Sequence, residues 1–269
     1  MQLRQNPRVV VTGAGGGLGR AFAYVLASRG AKLVLSDVNE AGLAETADGV
    51  RARGGSADTL RCDVSVAAEV EALFDLSEAR LGGCDLLINN AGVAVSGPVG
   101  EIPLRDWEWI VGVNLRGVVH GCHYFIPAMK RRGRGHVLNV ASIAGFASSP
   151  LMGPYNATKA AVIALSETLA GELRGTGVGC SVLCPYFFRT GILDNSRATA
   201  MPDTSKVTRI MESTRQQAEE VARLALEGCE RDALYIFPHR EAWAIQAFKR
   251  LVPSLLHRRL AAEIAKRTI

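Results

Sequence analysis

Tyr155 and Lys159 stand four positions apart in the run GPYNATKAAVIAL, residues 153–165, whose other members are mostly small or apolar. On a helix that spacing puts both side chains on one face. A free phenol titrates near pH ~10 and is a poor base at neutrality. An ammonium beside it favours the phenolate and draws the pKa down toward a useful range. Of the five tyrosines only Tyr155 has a lysine four residues on. A core tyrosine beside a lysine that reaches out to solvent is the structural alternative.

Two polar residues keep the pair company. Ser142 lies in the loop of HVLNVASIAGF, where a hydroxyl can donate to a substrate oxygen as charge develops on it. Asn114, in WEWIVGVNLRG, is an amide at an otherwise apolar helix position, suited to holding a water that links the lysine to solvent.

A second group suits a dinucleotide. RVVVT runs into TGAGGGLG, whose glycines fit G-x-x-x-G-x-G through Gly13, Gly17 and Gly19, but not G-x-G-x-x-G. Glycines there permit a tight turn and close approach of a pyrophosphate to a helix start. Asp37 ends the next strand, eighteen residues past Gly19. A carboxylate at that place accepts from ribose hydroxyls and repels a 2′-phosphate, which favours NAD over NADP. Val38 follows it, and the Gly13–Gly19 turn contains neither Arg nor Lys. Asp63 after the third strand suits either the adenine amino group or a helix cap, a role open to Ser65 as well. In Asn89-Asn90-Ala91-Gly92, small residues let backbone lie against a cofactor, and Asn90 can brace the loops around it. A purely structural turn is the alternative there.

Positioning these groups requires alternating strands and helices. Short apolar runs predict strands at 8–12, 32–36, 57–62, 85–89, 136–141, 178–183 and 233–237. Helix-length segments lie near 18–29, 40–53, 66–81, 104–132, 156–174 and 216–229. Such βα units call for an α/β fold, a doubly wound parallel sheet covered by helices on both faces. Ligands bind at the carboxyl ends of its strands, where strand order reverses.

Taken together, TGAGGGLG, NNAG, Asn114, Ser142 and YNATK resemble the short-chain dehydrogenase/reductases, in order and separation, over about residues 8–240. The resemblance implies a Rossmann-like sheet of seven parallel strands, a nicotinamide cofactor and a tetrad of Asn114, Ser142, Tyr155 and Lys159. By analogy Tyr155 exchanges a proton with the carbinol or carbonyl oxygen and Ser142 orients that oxygen. Lys159 binds the nicotinamide ribose and tunes Tyr155, and Asn114 anchors a relay water. The implied cofactor surface runs from Thr12, Gly13, Gly17, Leu18 and Gly19 through Asp37, Asp63 and Val64. It continues over Asn90, Ala91 and Gly92 to Tyr155, Lys159, Pro185 and Thr190. One departure is CPYFFRTG, where Tyr186 replaces the family's glycine after Pro185; with Phe187 and Phe188 it hints at an apolar substrate.

The remaining expectations concern organisation. Without a linker or repeat, the 269 residues read as a single domain. Residues 186–215 are too long for a connector and read as a substrate lid. Six cysteines (62, 84, 122, 180, 184, 229) lack metal or disulfide spacing and read as reduced thiols. His120 and His123 in HGCH read as structural. The net charge of +5 sits in residues 240–269, with seven Lys/Arg against two Glu, so it does not indicate nucleic-acid binding. Residues 241–269 read as two basic amphipathic helices broken near Pro253, with Ala244, Phe248, Leu251 and Leu255 on one stripe. Docking on the protein's own body or a neighbouring subunit is the expectation, contact with an anionic membrane the alternative. The opening lacks a charged-then-apolar leader and no apolar run approaches the roughly 20 residues of a membrane span, so a cytoplasmic protein is expected. The resemblance also implies a homotetramer or homodimer. The leading reading is an NAD(H)-dependent oxidoreductase of a lipophilic secondary alcohol or ketone. A catalytically silent NAD-binding regulator and a membrane-associated scaffold on the same fold are the alternatives.

Overall fold

Strands that are apolar on both sides of their alternation must be covered on both faces, and the structure shows how. The computed structural model describes residues 6–188, 192, 196–199, 209, 211, 214 and 217–255. Strands β1 (Arg8–Thr12), β2 (Lys32–Asp37), β3 (Ser56–Arg61) and β4 (Leu86–Asn89) occupy the first half. A short β5 (Val95–Ser96) follows, then β6 (Gly135–Val140), β7 (Val178–Leu183), β8 (Arg197–Ala198) and β9 (Tyr235–Ile236). Seven of these form one parallel sheet in the order β3-β2-β1-β4-β6-β7-β9, and they are the seven that the sequence pattern predicts. β5 and β8, two residues each, pair in parallel as a separate small sheet, and no periodicity announces them.

Alternate residues of one strand feed two different cores. Val9 and Val11 of β1 join Leu33, Leu35, Leu86 and Ile88 beneath α1 (Gly17–Ala27), α2 (Glu40–Ala52) and α8 (Ala218–Glu230). Val10 joins Val34, Leu87, Val137 and Val182 beneath α3 (Ala67–Leu81), α5 (Gly117–Arg131) and α7 (Gly153–Glu172). Phe22, Leu26, Leu73 and Phe125 are fully buried between helices and sheet. Each such side chain contributes about 1.5–3 kcal/mol on burial. All six cysteines are free and buried.

Three details differ from the sequence pattern. The long helix predicted over 104–132 is α4 (Leu104–Val111), a π-helical turn at Gly112–Arg116, and α5. Helix α7 begins at Gly153 with Pro154 in its first turn, where a missing N–H costs nothing, so Tyr155 lies inside the helix. A short α6 (Ala144–Ala147) fills the loop after β6.

The described part of the C-terminal extension is α9 (Arg240–Leu251) and a helical turn at 253–255, broken at Val252 just before Pro253. α9 packs on α6; Ala242 is its buried residue, and Lys249 Nζ donates to Ser148 Oγ at 3.5 Å. Of the stripe Ala244, Phe248, Leu251 and Leu255, Ala244, Leu251 and Leu255 are exposed on the single chain. Among the described residues no helix is long and apolar enough to cross a membrane. Thr190 and most of 186–215 lie outside the described residues, as do 256–269.

Candidate active site

The sheet order reverses between β1 and β4, so the chain leaves these neighbouring strands in opposite directions and opens a crevice at their carboxyl ends. The turn after β1 and the NNAG turn after β4 form its floor. Gly13 has φ +66°, and a Cβ on it would lie 2.7 Å from the Ala91 Cα. A Cβ on Gly19 would lie 2.0 Å from the Gly13 carbonyl oxygen. Gly17 is also at positive φ, +50°. Only glycine lets the first turn of α1, with Leu18, approach the strand this closely.

Hydrogen bonds fix the two turns to each other. Asn90 Nδ2 donates to the carbonyls of Thr12 (2.9 Å) and Gly13 (3.0 Å). The Thr12 hydroxyl accepts from the N–H groups of Asn90 and Ala91. The bracing role of Asn90 expected from sequence is therefore its role in the structure.

The crevice passes a physical test for a dinucleotide. α1 starts at Gly16 without a side-chain cap and with no acid in its first turn, which leaves positive dipole and N–H groups for a phosphate. A Cβ on Gly16 would touch nothing within 4 Å, so this stretch of backbone is open. Asp37 accepts from Gly15 N at 2.8 Å through Oδ2 and from Asn39 N at 3.0 Å through Oδ1. Each of these oxygens has a second lone pair for a hydroxyl. Arg20, the nearest cation in sequence, binds the Gly15 carbonyl, Thr46 and Glu45, which turns it to structural work. Asp63 Oδ1 accepts from both the N–H and the hydroxyl of Ser65, closing a local turn, and neither residue caps α3, whose N-cap is Val66 without a side-chain hydrogen bond. Val64 is buried against Gly117, and its carbonyl lies 2.9 Å from His120 Nδ1.

On the other wall the four residues singled out for chemistry converge from three elements. Ser142 follows β6, with its Oγ accepting from Ala144 N at 3.1 Å, and its hydroxyl acts to draw the pKa of the Tyr155 phenol down. Lys159 is buried; its Nζ donates to the Val140 carbonyl at 2.9 Å and lies 5.7 Å from the centroid of the Tyr155 ring. Burial lowers the Lys159 pKa from 10.5 to about 8. Asn114 is fully buried in the π-helical turn, a distortion often found at functional positions. Its Oδ1 accepts from Val93 N at 2.8 Å, while Nδ2 donates to the Val93 carbonyl and to Thr158 Oγ1. A Cβ on Gly92 would lie 3.4 Å from Lys159 Nζ and 3.5 Å from Asn114 Oδ1, so both groups lie beside that glycine.

The Tyr155 phenol departs from expectation. Burial raises its pKa above the usual 10, and the neighbouring Ser142 hydroxyl opposes this only in part. Tyr155 is half-buried as a residue, and desolvation of its hydroxyl is the dominant influence on it. The protein side of the site thus holds this phenol protonated at neutral pH.

Several contributors gave no sequence signal. The Val93 backbone and Thr158 hold Asn114, and partners so far apart in the chain follow no fixed spacing. His239, fully buried at the start of α9, accepts from Tyr186 N at 3.2 Å through Nδ1 and stacks on Phe188. It thereby anchors the aromatic run that replaces the glycine after Pro185. The Pro185 carbonyl is itself tied to Ile143 N at 3.0 Å, beside Ser142.

The family model for short chain dehydrogenases matches residues 7–201. A short chain dehydrogenase/reductase from Burkholderia phymatum, solved in complex with NAD, superposes with a TM-score of 0.88 at 41% identity, over 95% of this chain and 96% of that one. The C alpha-dehydrogenase of Sphingobium sp. is 33% identical over 255 residues, 88% of this chain and 82% of that protein. "Probable oxidoreductase EphD" of Mycobacterium tuberculosis is 40% identical over 186 residues, 69% of this chain but only 31% of EphD, so the chain matches about a third of that longer protein. The chain belongs to the short chain dehydrogenase family of nicotinamide-dependent oxidoreductases.

Proposed function

We propose that this protein is a single-domain NAD(H)-dependent oxidoreductase that interconverts a lipophilic secondary alcohol and its ketone, with Tyr155 as general acid/base. The observation that carries the reading is the convergence of Ser142 and Tyr155, with the Lys159 ammonium 5.7 Å from the Tyr155 ring, beside an open glycine turn. The nicotinamide, when bound, supplies or takes the hydride. In the reducing direction Tyr155 gives its proton to the carbonyl oxygen, and in the oxidising direction it takes the carbinol proton. Ser142 donates to that oxygen and fixes its position. Lys159, kept in place by Val140, binds the nicotinamide ribose and stabilises the phenolate as it forms. Asn114, one Oδ1 lone pair still available, holds the relay water facing Lys159 across Gly92.

Asp37, with Arg20 already engaged, supports NAD over NADP. Thr12, Gly13, Gly17, Leu18 and Gly19 cradle the pyrophosphate. Asp63 and Val64 flank the adenine; Asn90, Ala91 and Gly92 line the floor; Pro185 and Thr190 meet the carboxamide. The apolar character of the substrate is supported by Tyr186, Phe187 and Phe188. A homotetramer or homodimer in the cytoplasm completes the reading.

The test is Tyr155→Phe, assayed against cyclohexanol, 1-phenylethanol, 2-decanol, a hydroxysteroid and retinol. The variant is expected to bind NADH as the wild type does and to lose turnover by roughly 10²–10⁴-fold. Substantial residual turnover overturns the role of Tyr155. NADPH binding as tight as NADH binding overturns the cofactor assignment.

A further inference from the structure

Gly97 is the junction of three segments on the substrate side. Its N–H donates to the Leu151 carbonyl at 2.8 Å, and it bridges to Met152, the residue immediately before α7. A Cβ on it, at φ +145°, would lie 2.0 Å from Thr199 Oγ1. β5, which Gly97 ends, leads back through Ala94 to Val93, whose N–H and carbonyl are both held by Asn114.

β8 lies on β5 over two residue pairs, Val95 with Arg197 and Ser96 with Ala198, flanked by hydrogen bonds from Arg197 N to the Ala94 carbonyl at 3.0 Å and from Thr199 N to the Ser96 carbonyl at 3.1 Å. A ladder this short is marginal by itself. The Arg197 side chain supplies the rest. Its Nη1 donates to Asp106 Oδ1 at 2.8 Å, and its guanidinium carbon lies 3.9 Å from the centroid of the Trp109 ring. Both partners belong to α4, which runs directly into the turn carrying Asn114. Asp106 is buried, so its carboxylate gains more from a fixed cation than an exposed one would. Trp109, Val93 and Tyr155 pack on one small apolar cluster of Val95, Ile102 and Ile110. Arg197 thus ends on the structure against which both Asn114 and Tyr155 are set.

We propose that Arg197 is a positioning residue for the acid/base site: by clamping β8 to α4 it fixes β5, and with it the Asn114–Val93 pairing and the wall behind Tyr155. This assignment rests on the function proposed above. A planar guanidinium that pairs with Asp106 and stacks on Trp109 at once is a combination lysine reproduces only in its charge.

Hydrogen exchange of the full chain with NADH bound provides the test. In Arg197→Met the amides of residues 93–97 are expected to exchange at least tenfold faster than in the wild type, and Arg197→Lys is expected to recover part of that protection. Arg223→Met, which removes an exposed cation paired with Glu220 and Glu227, is the control and leaves residues 93–97 unchanged. With whichever alcohol of the panel the wild type turns over, Arg197→Met raises KM at least fivefold without changing the Kd for NADH. Unchanged protection of residues 93–97 overturns the proposal, and so does protection lost equally across the seven-stranded sheet. Should the wild type fail to bind NADH, the proposed function falls, and the same exchange comparison on the free chain still decides the role of Arg197.

Discussion

Asn114 grips Val93 at both of its backbone groups, accepting from the N–H at 2.8 Å and donating to the carbonyl at 3.0 Å. The second Nδ2 hydrogen goes to Thr158, which in turn donates to the Tyr155 carbonyl at 3.0 Å. One buried amide thereby connects the strand-end loop, the π-helical turn and the first turns of α7. Its position among apolar neighbours marks it in the sequence as functional, and its spatial partners explain how it can be structural too.

Removing that amide is expected to cost stability as well as turnover. Asn114→Ala leaves two backbone groups of Val93 without a protein partner, at about 1–3 kcal/mol for each group fully cut off from water, and takes one donor from the Thr158 hydroxyl, which keeps its bond to the Tyr155 carbonyl. Val93 is only half-buried, so the expected total is about 2 kcal/mol, read as a lower midpoint in urea at unchanged slope. Asn114→Asp, which keeps the acceptor and loses the donor, is expected to fall between the two. An Asn114→Ala chain as stable as the wild type would show that water replaces the amide at no cost.

The glycines of the first turn are not equivalent. A Cβ on Gly19 meets the Gly13 carbonyl oxygen at 2.0 Å and Asn90 Nδ2 at 2.7 Å, atoms that cannot move without opening the floor. Gly16 is extended, with φ −173°, and faces open space. Gly19→Ala is expected to destabilise by roughly 3 kcal/mol or more, and Gly16→Ala by less than about 0.5 kcal/mol. Thermal denaturation of the two single variants without added cofactor separates them. Equal losses would mean that the turn yields as a unit.

This contrast shows how far the residues could be read unaided. The central strands were legible because they are buried on both faces, so that Val9, Val10 and Val11 are all apolar and a turn residue follows; the edge strand β3 has no buried residue. Gly13, Gly17 and Gly19 stood out from Gly15 and Gly16 by spacing alone, and the backbone contacts supply the reason. β5 and β8 left no trace, since two residues cannot show a period and their pairing spans about a hundred positions. The covered face of α9 was not legible for a related reason. Its apolar stripe was real, but α6, a four-residue helix without a pattern, decided which face of α9 is covered. The Tyr155 pKa went the other way because desolvation depends on the whole surrounding shell, of which the lysine is one member.

A buried histidine far from the crevice makes the fold sensitive to acid. His136 on β6 is fully buried, with Nε2 2.9 Å from Ser181 Oγ and Nδ1 3.8 Å from Asp232 Oδ1. Burial lowers its pKa from 6.5 to about 4, and Asp232, itself mostly in water, offsets little of that. Between those values the unfolded chain binds a proton that the folded chain refuses. Stability is therefore full above about pH 6.5 and declines as pH falls toward 4, by about 3 kcal/mol over the window. Asp85, paired with Arg8 and lowered from 3.8, acts only below that range. Urea unfolding at pH 7, 5.5 and 4.5 is expected to show this slope in the wild type. His136→Gln, which keeps a donor for Ser181 and cannot titrate, is expected to flatten it whatever its own stability at pH 7. An equal slope in that variant would assign the acid sensitivity to other groups.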